Sequence, residues 1–154
     1  MLIADDNADH RELLSYALRR SGHEIVTAVD AGTAMSALRL GGVDAALLDV
    51  RMPGESGIEL CRRLRAEPGT AVLPVMLISA DVHLVLDGLH AGADDFLTKP
   101  FHRAELCTRL DALLLSRRSA AHKGYRATSA ALSAAGNARR ITATYSEGAG
   151  QRTA

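Results

Sequence analysis

The sequence predicts an α/β fold: a doubly wound parallel sheet of five strands flanked by five helices. Three observations carry that prediction. Short apolar runs alternate with helical patterns five times over residues 1–116. The runs are apolar on successive residues, as strands covered on both faces must be. Asp5-Asp6, Asp49, Ser79 and Lys99 stand directly after the first, third, fourth and fifth runs.

Leu2–Ala4 is the first run, and Asp5-Asp6 ends it. A helix is predicted over 8–20, with Leu13, Leu14, Ala17 and Leu18 on one face, Asn7 or Asp9 as cap and Gly22 as stop. Ile25–Val29 reads as the second strand. Ala34, Met35 and Leu38 mark a short helix halted by Gly41-Gly42. Ala45–Leu48 forms the third strand and runs into Asp49, followed by a loop with Pro53, Gly54 and Gly57. Residues 58–66 are helical, with Ile58, Cys61 and Leu64 inward. Val75–Ile78 is the fourth strand, closed by Ser79. A fourth helix is predicted to turn Val82, Val85, Leu86 and Leu89 to one face, leaving Leu84 off that stripe, and to end at Gly92. Phe96–Thr98 is the fifth strand, ending at Lys99-Pro100, and Leu106, Leu110, Leu113 and Leu114 mark the fifth helix.

The chain has 154 residues, 47% of them hydrophobic and 23% charged, an ordinary mixture for a soluble domain. Its zero net charge conceals a division: residues 1–116 hold 11 basic and 17 acidic residues, residues 117–154 hold 7 basic residues and one acid, Glu147. An acidic body argues against direct DNA binding. Five aromatics argue against a stacking platform for single strands. Residues 117–154 are rich in Ala, Ser, Gly and Arg, with Leu132 and Ile141 as their large aliphatics. Such a segment is expected to be a disordered basic tail, drawn to the acidic body by charge. Two cysteines, Cys61 and Cys107, form no disulfide framework and read as packing residues. The longest uncharged stretch of the body, Pro68–Ala80, is too short to span a bilayer. A cytoplasmic location and no membrane partner are expected.

The chemistry follows from where the polar residues fall. In an open α/β sheet, ligands bind beyond the carboxyl ends of the strands where strand order reverses. Asp5, Asp6 and Asp49 would converge there, with Ser79 and Lys99 arriving from neighbouring strands. Three close carboxylates raise one another's pKa unless a cation compensates. An all-oxygen set without His or Cys suits Mg²⁺. An ammonium and a hydroxyl facing a carboxylate and a metal describe a site for a phosphoryl group. Taken singly, each residue has a plainer reading: an Asp after a strand is most often a turn residue or cap, and a lone Lys a solvated charge. The set of five shifts the balance. The six histidines show no metal spacing, and no zinc site is assigned.

Four segments resemble the receiver domains of two-component response regulators: I-A-D-D-N (3–7), A-L-L-D-V-R-M-P-G-E-S-G (46–57), P-V-M-L-I-S-A (74–80) and A-G-A-D-D-F-L-T-K-P-F (91–101). The resemblance covers residues 1–116 and implies a flavodoxin-like sheet of order 2-1-3-4-5. It implies that Asp49 is the phosphoacceptor, taking phosphate from a sensor histidine kinase. Asp5, Asp6, Asp49 and the Arg51 backbone carbonyl would hold Mg²⁺, Lys99 and Ser79 would contact the phosphoryl oxygens, and Ser79 with Phe96 would form the switch. It also implies a cis Lys99-Pro100 bond, a small side chain at Ala80 and, by analogy, a homodimer through helix 4, strand 5 and helix 5. The expectation is a regulatory phosphoprotein acting on a downstream protein, with no enzymatic turnover beyond its own phosphorylation and dephosphorylation. Two alternatives stand beside it: a relay intermediate that hands phosphate to a histidine phosphotransfer protein, and an unphosphorylated interaction module. An aspartate-nucleophile phosphohydrolase fits poorly, because the position two past Asp49 is Arg51 rather than a second acid. Arg51 and Asp81 are expected to flank the site, where they could pair across its mouth.

Overall fold

A computed structural model of the chain describes residues 1–117, and the expectations for the basic tail beyond them lie outside the described residues. Five parallel strands form one sheet in the order β2-β1-β3-β4-β5. They are β1 (Leu2–Ala4), β2 (Val26–Ala28), β3 (Ala46–Asp49), β4 (Val75–Ser79) and β5 (Asp95–Thr98). The helices are α1 (Ala8–Arg19), α2 (Ala31–Arg39), α3 (Gly57–Ala66), α4 (Val85–His90) and α5 (103–117), with a single 3₁₀ turn, Val82–Leu84, leading into α4. Although β1 is three residues long, every residue of it is paired with β2 on one side and β3 on the other.

Alternation along each strand sends side chains to two separate cores. Leu2, Ala4, Leu48, Leu77 and Phe96 meet α2, α3 and α4 on one face. Ile3, Leu47, Met76, Ile78 and Leu97 meet Leu14 and Leu18 of α1 and Leu106, Leu110 and Leu113 of α5 on the other. Removing each such large side chain from water contributes about 2 kcal/mol. The chain therefore reads as continuous apolar runs because both faces of the sheet are covered. Cys61 is buried and Cys107 partly buried, each beside a core.

Side-chain caps fix where the helices begin. Asn7 accepts the His10 N–H at 3.1 Å, so Asn7 rather than Asp9 caps α1. Asp30 with Thr33 and Ser56 with Glu59 form reciprocal capping boxes on α2 and α3.

Two expected apolar faces are corrected. Leu13 is 67% exposed, and α1 instead buries Ser15 beside Leu14, Ala17 and Leu18. On the fourth helix Val82, Leu86 and Leu89 point to solvent, whereas Leu84 and Val85 pack on the core. The cause is the 3₁₀ turn, which advances each residue further around the axis than an α-helix does and so shifts the phase of the stripe. The residue that touches the sheet is Gly88. A Cβ there would stand 2.7 Å from a Leu77 methyl carbon and 2.9 Å from the Phe96 ring.

The amino-terminal rim of the sheet is closed by Arg65. Its guanidinium donates to the carbonyls of Gly92 and Leu73, each at 2.8 Å, and to the Asp94 carboxylate at 2.8 Å. Asp94 in turn accepts the Val75 N–H at 2.9 Å, so one ion pair ties α3 to the start of both β4 and β5.

Candidate functional site

At the opposite, carboxyl-terminal rim the strands deliver charge into one place. Asp5 and Asp6 follow β1, Asp49 ends β3, Ser79 ends β4 and Lys99 follows β5. Backbone bonds hold these exits in position: Asp5 N–H to Ala28, Val50 N–H to Ile78, and Lys99 N–H to Ser79 at 2.8 Å. The Lys99-Pro100 bond is cis.

Carboxylate oxygens of Asp5, Asp6 and Asp49 lie within 4.8 Å of one another. Lys99 Nζ stands 3.1 Å from Asp49 Oδ1 and 3.6 Å from Asp5 Oδ2. Asp5 is 1% exposed and Asp49 8%, while Asp6 opens to solvent. Burial pushes the Asp49 carboxyl up from its ordinary value, with Lys99 opposing and Asp5 and Asp6 adding to the rise. One ammonium does not balance three acids.

Asp5 carries the clearest sign of the imbalance. Its Oδ1 accepts the Asn7 N–H at 2.8 Å, but its Oδ2 is buried and lacks a hydrogen-bond partner. A buried carboxylate oxygen without a donor is costly. A cation-binding oxygen would have such surroundings. Three carboxylates with no sulfur or nitrogen among them form a hard donor set, so the residues fit Mg²⁺.

Ser79 is 1% exposed, and its Oγ accepts the Asp81 N–H at 3.0 Å. Its own O–H proton is then left to give. Phe96 is buried, in register with Leu77 on β4. Arg51 lies two residues past Asp49 with its side chain in solvent. Arg51 and Asp81 form no ion pair; Asp81 instead caps the 3₁₀ turn through the His83 N–H at 3.0 Å. The loop after Asp49 folds back so closely that a Cβ on Gly57 would sit 2.3 Å from the Asp49 carbonyl oxygen. Gly57 thus fixes the backbone that carries the central acid.

Sequence reasoning missed His10. Its Nδ1 lies 3.4 Å from Lys99 Nζ and 3.6 Å from Asp5 Oδ2. A signal was present: His10 is in the first turn of the helix leaving Asp5-Asp6, at the same rim.

Comparison with known proteins agrees with this geometry. Residues 1–111 match the response regulator receiver domain. The phosphate regulon transcriptional regulatory protein PhoB of Pseudomonas aeruginosa is 40% identical over 116 residues, covering 74% of this chain and 51% of PhoB. The transcriptional regulatory protein CseB of Streptomyces avermitilis is 41% identical over 117 residues, covering 74% of this chain and 48% of CseB. The chain therefore spans about half the length of these relatives. Among solved structures, the receiver domain of a signal transduction histidine kinase from Syntrophus aciditrophicus superposes with a TM-score of 0.70 at 32% identity, covering 75% of this chain and 89% of that one. The receiver domain of the Pseudomonas aeruginosa sensor histidine kinase PA1611, which holds a magnesium ion in its active-site cleft, gives 0.69 at 29% identity, covering 73% and 94%.

Proposed function

The chain belongs to the response regulator receiver family, and from that premise we propose that Asp49 is its phosphoacceptor, within a functional unit spanning residues 1–116. Receiver domains interact with histidine kinases and signal according to their phosphorylation. The observation that carries the assignment is the cluster at the carboxyl-terminal rim: three carboxylates and one ammonium around a buried Asp49.

In the reaction, an Asp49 carboxylate oxygen attacks the phosphorus of a phosphohistidine. The P–O bond forms, the P–N bond breaks, and the leaving imidazole takes up a proton. Asp5, Asp6, Asp49 and the Arg51 carbonyl would hold Mg²⁺, which when bound supplies positive charge to the transferring phosphoryl oxygens. Lys99 releases Asp49 Oδ1 and takes a phosphoryl oxygen. Ser79 donates a hydrogen bond from its hydroxyl to another. Little covalent work falls to the protein; positioning and charge neutralisation suffice.

The phosphorylated state is read through Ser79 and Phe96. Ser79 moving toward the phosphoryl group would change the space beside the Phe96 ring, which Gly88 and Leu77 now hold. Phe96 has no hydroxyl, so its effect on a partner is steric. The exposed Val82, Leu86 and Leu89 beside β5 supply apolar surface for a downstream protein or a second copy on the α4-β5-α5 face. Among the described residues no helix is long and apolar enough to cross a membrane, and a cytoplasmic place is part of the proposal.

Acetyl phosphate with Mg²⁺ tests the assignment. The wild-type chain takes up one phosphoryl group, and both Asp49→Asn and removal of Mg²⁺ abolish uptake. Labelling of Asp49→Asn at the wild-type level would place the acceptor elsewhere.

A further inference from the structure

We propose that His10 is a positioning residue for the phosphoryl chemistry, acting by holding the Lys99 ammonium over Asp49; this rests on the reading of Asp49 as phosphoacceptor. Lys99 carries three N–H donors, and three acceptors surround it: Asp49 Oδ1 at 3.1 Å, His10 Nδ1 at 3.4 Å and Asp5 Oδ2 at 3.6 Å. Two of the three are needed elsewhere during transfer. Asp49 gives its electrons to phosphorus, and Asp5 is a cation ligand. His10 is the remaining acceptor beside Nζ, and it has no other task in the reaction. It can keep its bond to Lys99 from the resting site through to the phosphorylated one.

The proposal requires one tautomer. An ammonium only donates, so Nδ1 must carry the lone pair and Nε2 the ring proton for this bond to form, and Asp5 Oδ2, 3.6 Å from the same Nδ1, competes for the other tautomer. The His10 main chain is anchored, since its N–H is tied to the Asn7 cap. The imidazole therefore starts from a fixed point in the first turn of α1 and reaches Lys99 at the edge of solvent, with its side chain 48% exposed. His10 does not touch the reacting atoms; it acts through Lys99. A long, flexible lysine that loses this anchor samples more rotamers, and fewer of them place Nζ where the phosphoryl oxygens arrive.

The test uses the full chain with acetyl phosphate and Mg²⁺, measured as the limiting phosphorylation rate at saturating donor. His10→Ala should lower it about fivefold, the size of one ordinary hydrogen bond, as suits a long contact at a half-exposed side chain. His10→Asn should recover it to within about twofold, because the Asn Oδ1 occupies nearly the place of Nδ1 and accepts from an ammonium. His10→Gln, whose amide oxygen sits one carbon further out, should resemble Ala. Both Ala and Asn remove the ring, so a merely structural role would move them together. An Ala variant as fast as wild type, or an Asn variant as slow as Ala, overturns the proposal. Asp49→Asn run in parallel separates the two readings: labelling there would overturn the phosphoacceptor itself, not the role of His10.

Discussion

The two rims of one sheet treat charge in opposite ways. At the amino-terminal rim, Arg65 faces one acid, Asp94, and its remaining donors reach backbone carbonyls. Asp94 spends an oxygen on the Val75 N–H as well. At the carboxyl-terminal rim three acids cluster and two of them share one ammonium, an Asp5 oxygen lacks a donor, and burial raises the Asp49 pKa. The first rim is satisfied within the chain; the second carries an excess of negative charge that the proposed cation would offset. The difference teaches how to tell the two uses of a charge cluster apart. A satisfied network stabilises the fold, while an unbalanced one marks a place where something binds.

The largest separation between the rims should come from paired substitutions. Arg65→Ala should cost about 2–4 kcal/mol in denaturant unfolding, because it leaves Asp94 and two carbonyls short of donors. Its folded fraction should still label with acetyl phosphate. Asp49→Asn should do the reverse, losing all labelling without loss of stability. Its sign is fixed by the pKa. An acid whose folded pKa is raised binds its proton more tightly in the native state. Stability then falls as pH rises from the ordinary 3.8 through the raised value. At neutral pH without Mg²⁺, Asp49→Asn should therefore match or exceed wild type, and the gap should close below about pH 4. Clear destabilisation by Asp49→Asn would make the second rim a structural one.

Next in size is the metal. Mg²⁺ at ten times its dissociation constant should stabilise the wild-type chain by about 1.4 kcal/mol. The same concentration should do much less for Asp49→Asn and should act on Arg65→Ala as on wild type. Thermal unfolding with and without the ion reads this directly. The smallest effect belongs to a cap away from both clusters. The Ser56 bonds depress the Glu59 pKa below its usual 4.5. The contribution of that carboxylate is thus present above about pH 5 and lost as pH falls through the depressed value. Glu59→Gln should be slightly destabilising at neutral pH and indistinguishable from wild type at low pH, opposite in sign to Asp49→Asn.

Most of the fold could be read from the sequence because strands buried on both faces leave an unmistakable trace: runs such as Ala-Ala-Leu-Leu and Val-Met-Leu-Ile, each ending in a polar residue. The site was legible for the same reason, since strand ends face the same rim when all strands are parallel. The strand order was not read from spacing; it came with the resemblance to receiver domains. The apolar face of the fourth helix was misread because a 3₁₀ turn changes the period locally, and nothing in Val82-His83-Leu84 announces it. Gly88 drew no reading from the sequence, yet its missing Cβ is what lets α4 approach Leu77 and Phe96. His10 was passed over in a search for ligands, because its partner is an ammonium and not a metal. Arg65 and Asp94 lie 29 residues apart, and only the folded sheet brings them together.

The central claim is that the unbalanced rim exists to place a phosphoryl group on Asp49. After reaction with acetyl phosphate and Mg²⁺, borohydride reduction converts an aspartyl phosphate to homoserine, and peptide mapping locates it. Homoserine at position 49 alone is the predicted result. Homoserine at another acid, or none at position 49 in a chain that has demonstrably taken up phosphate, would contradict the account.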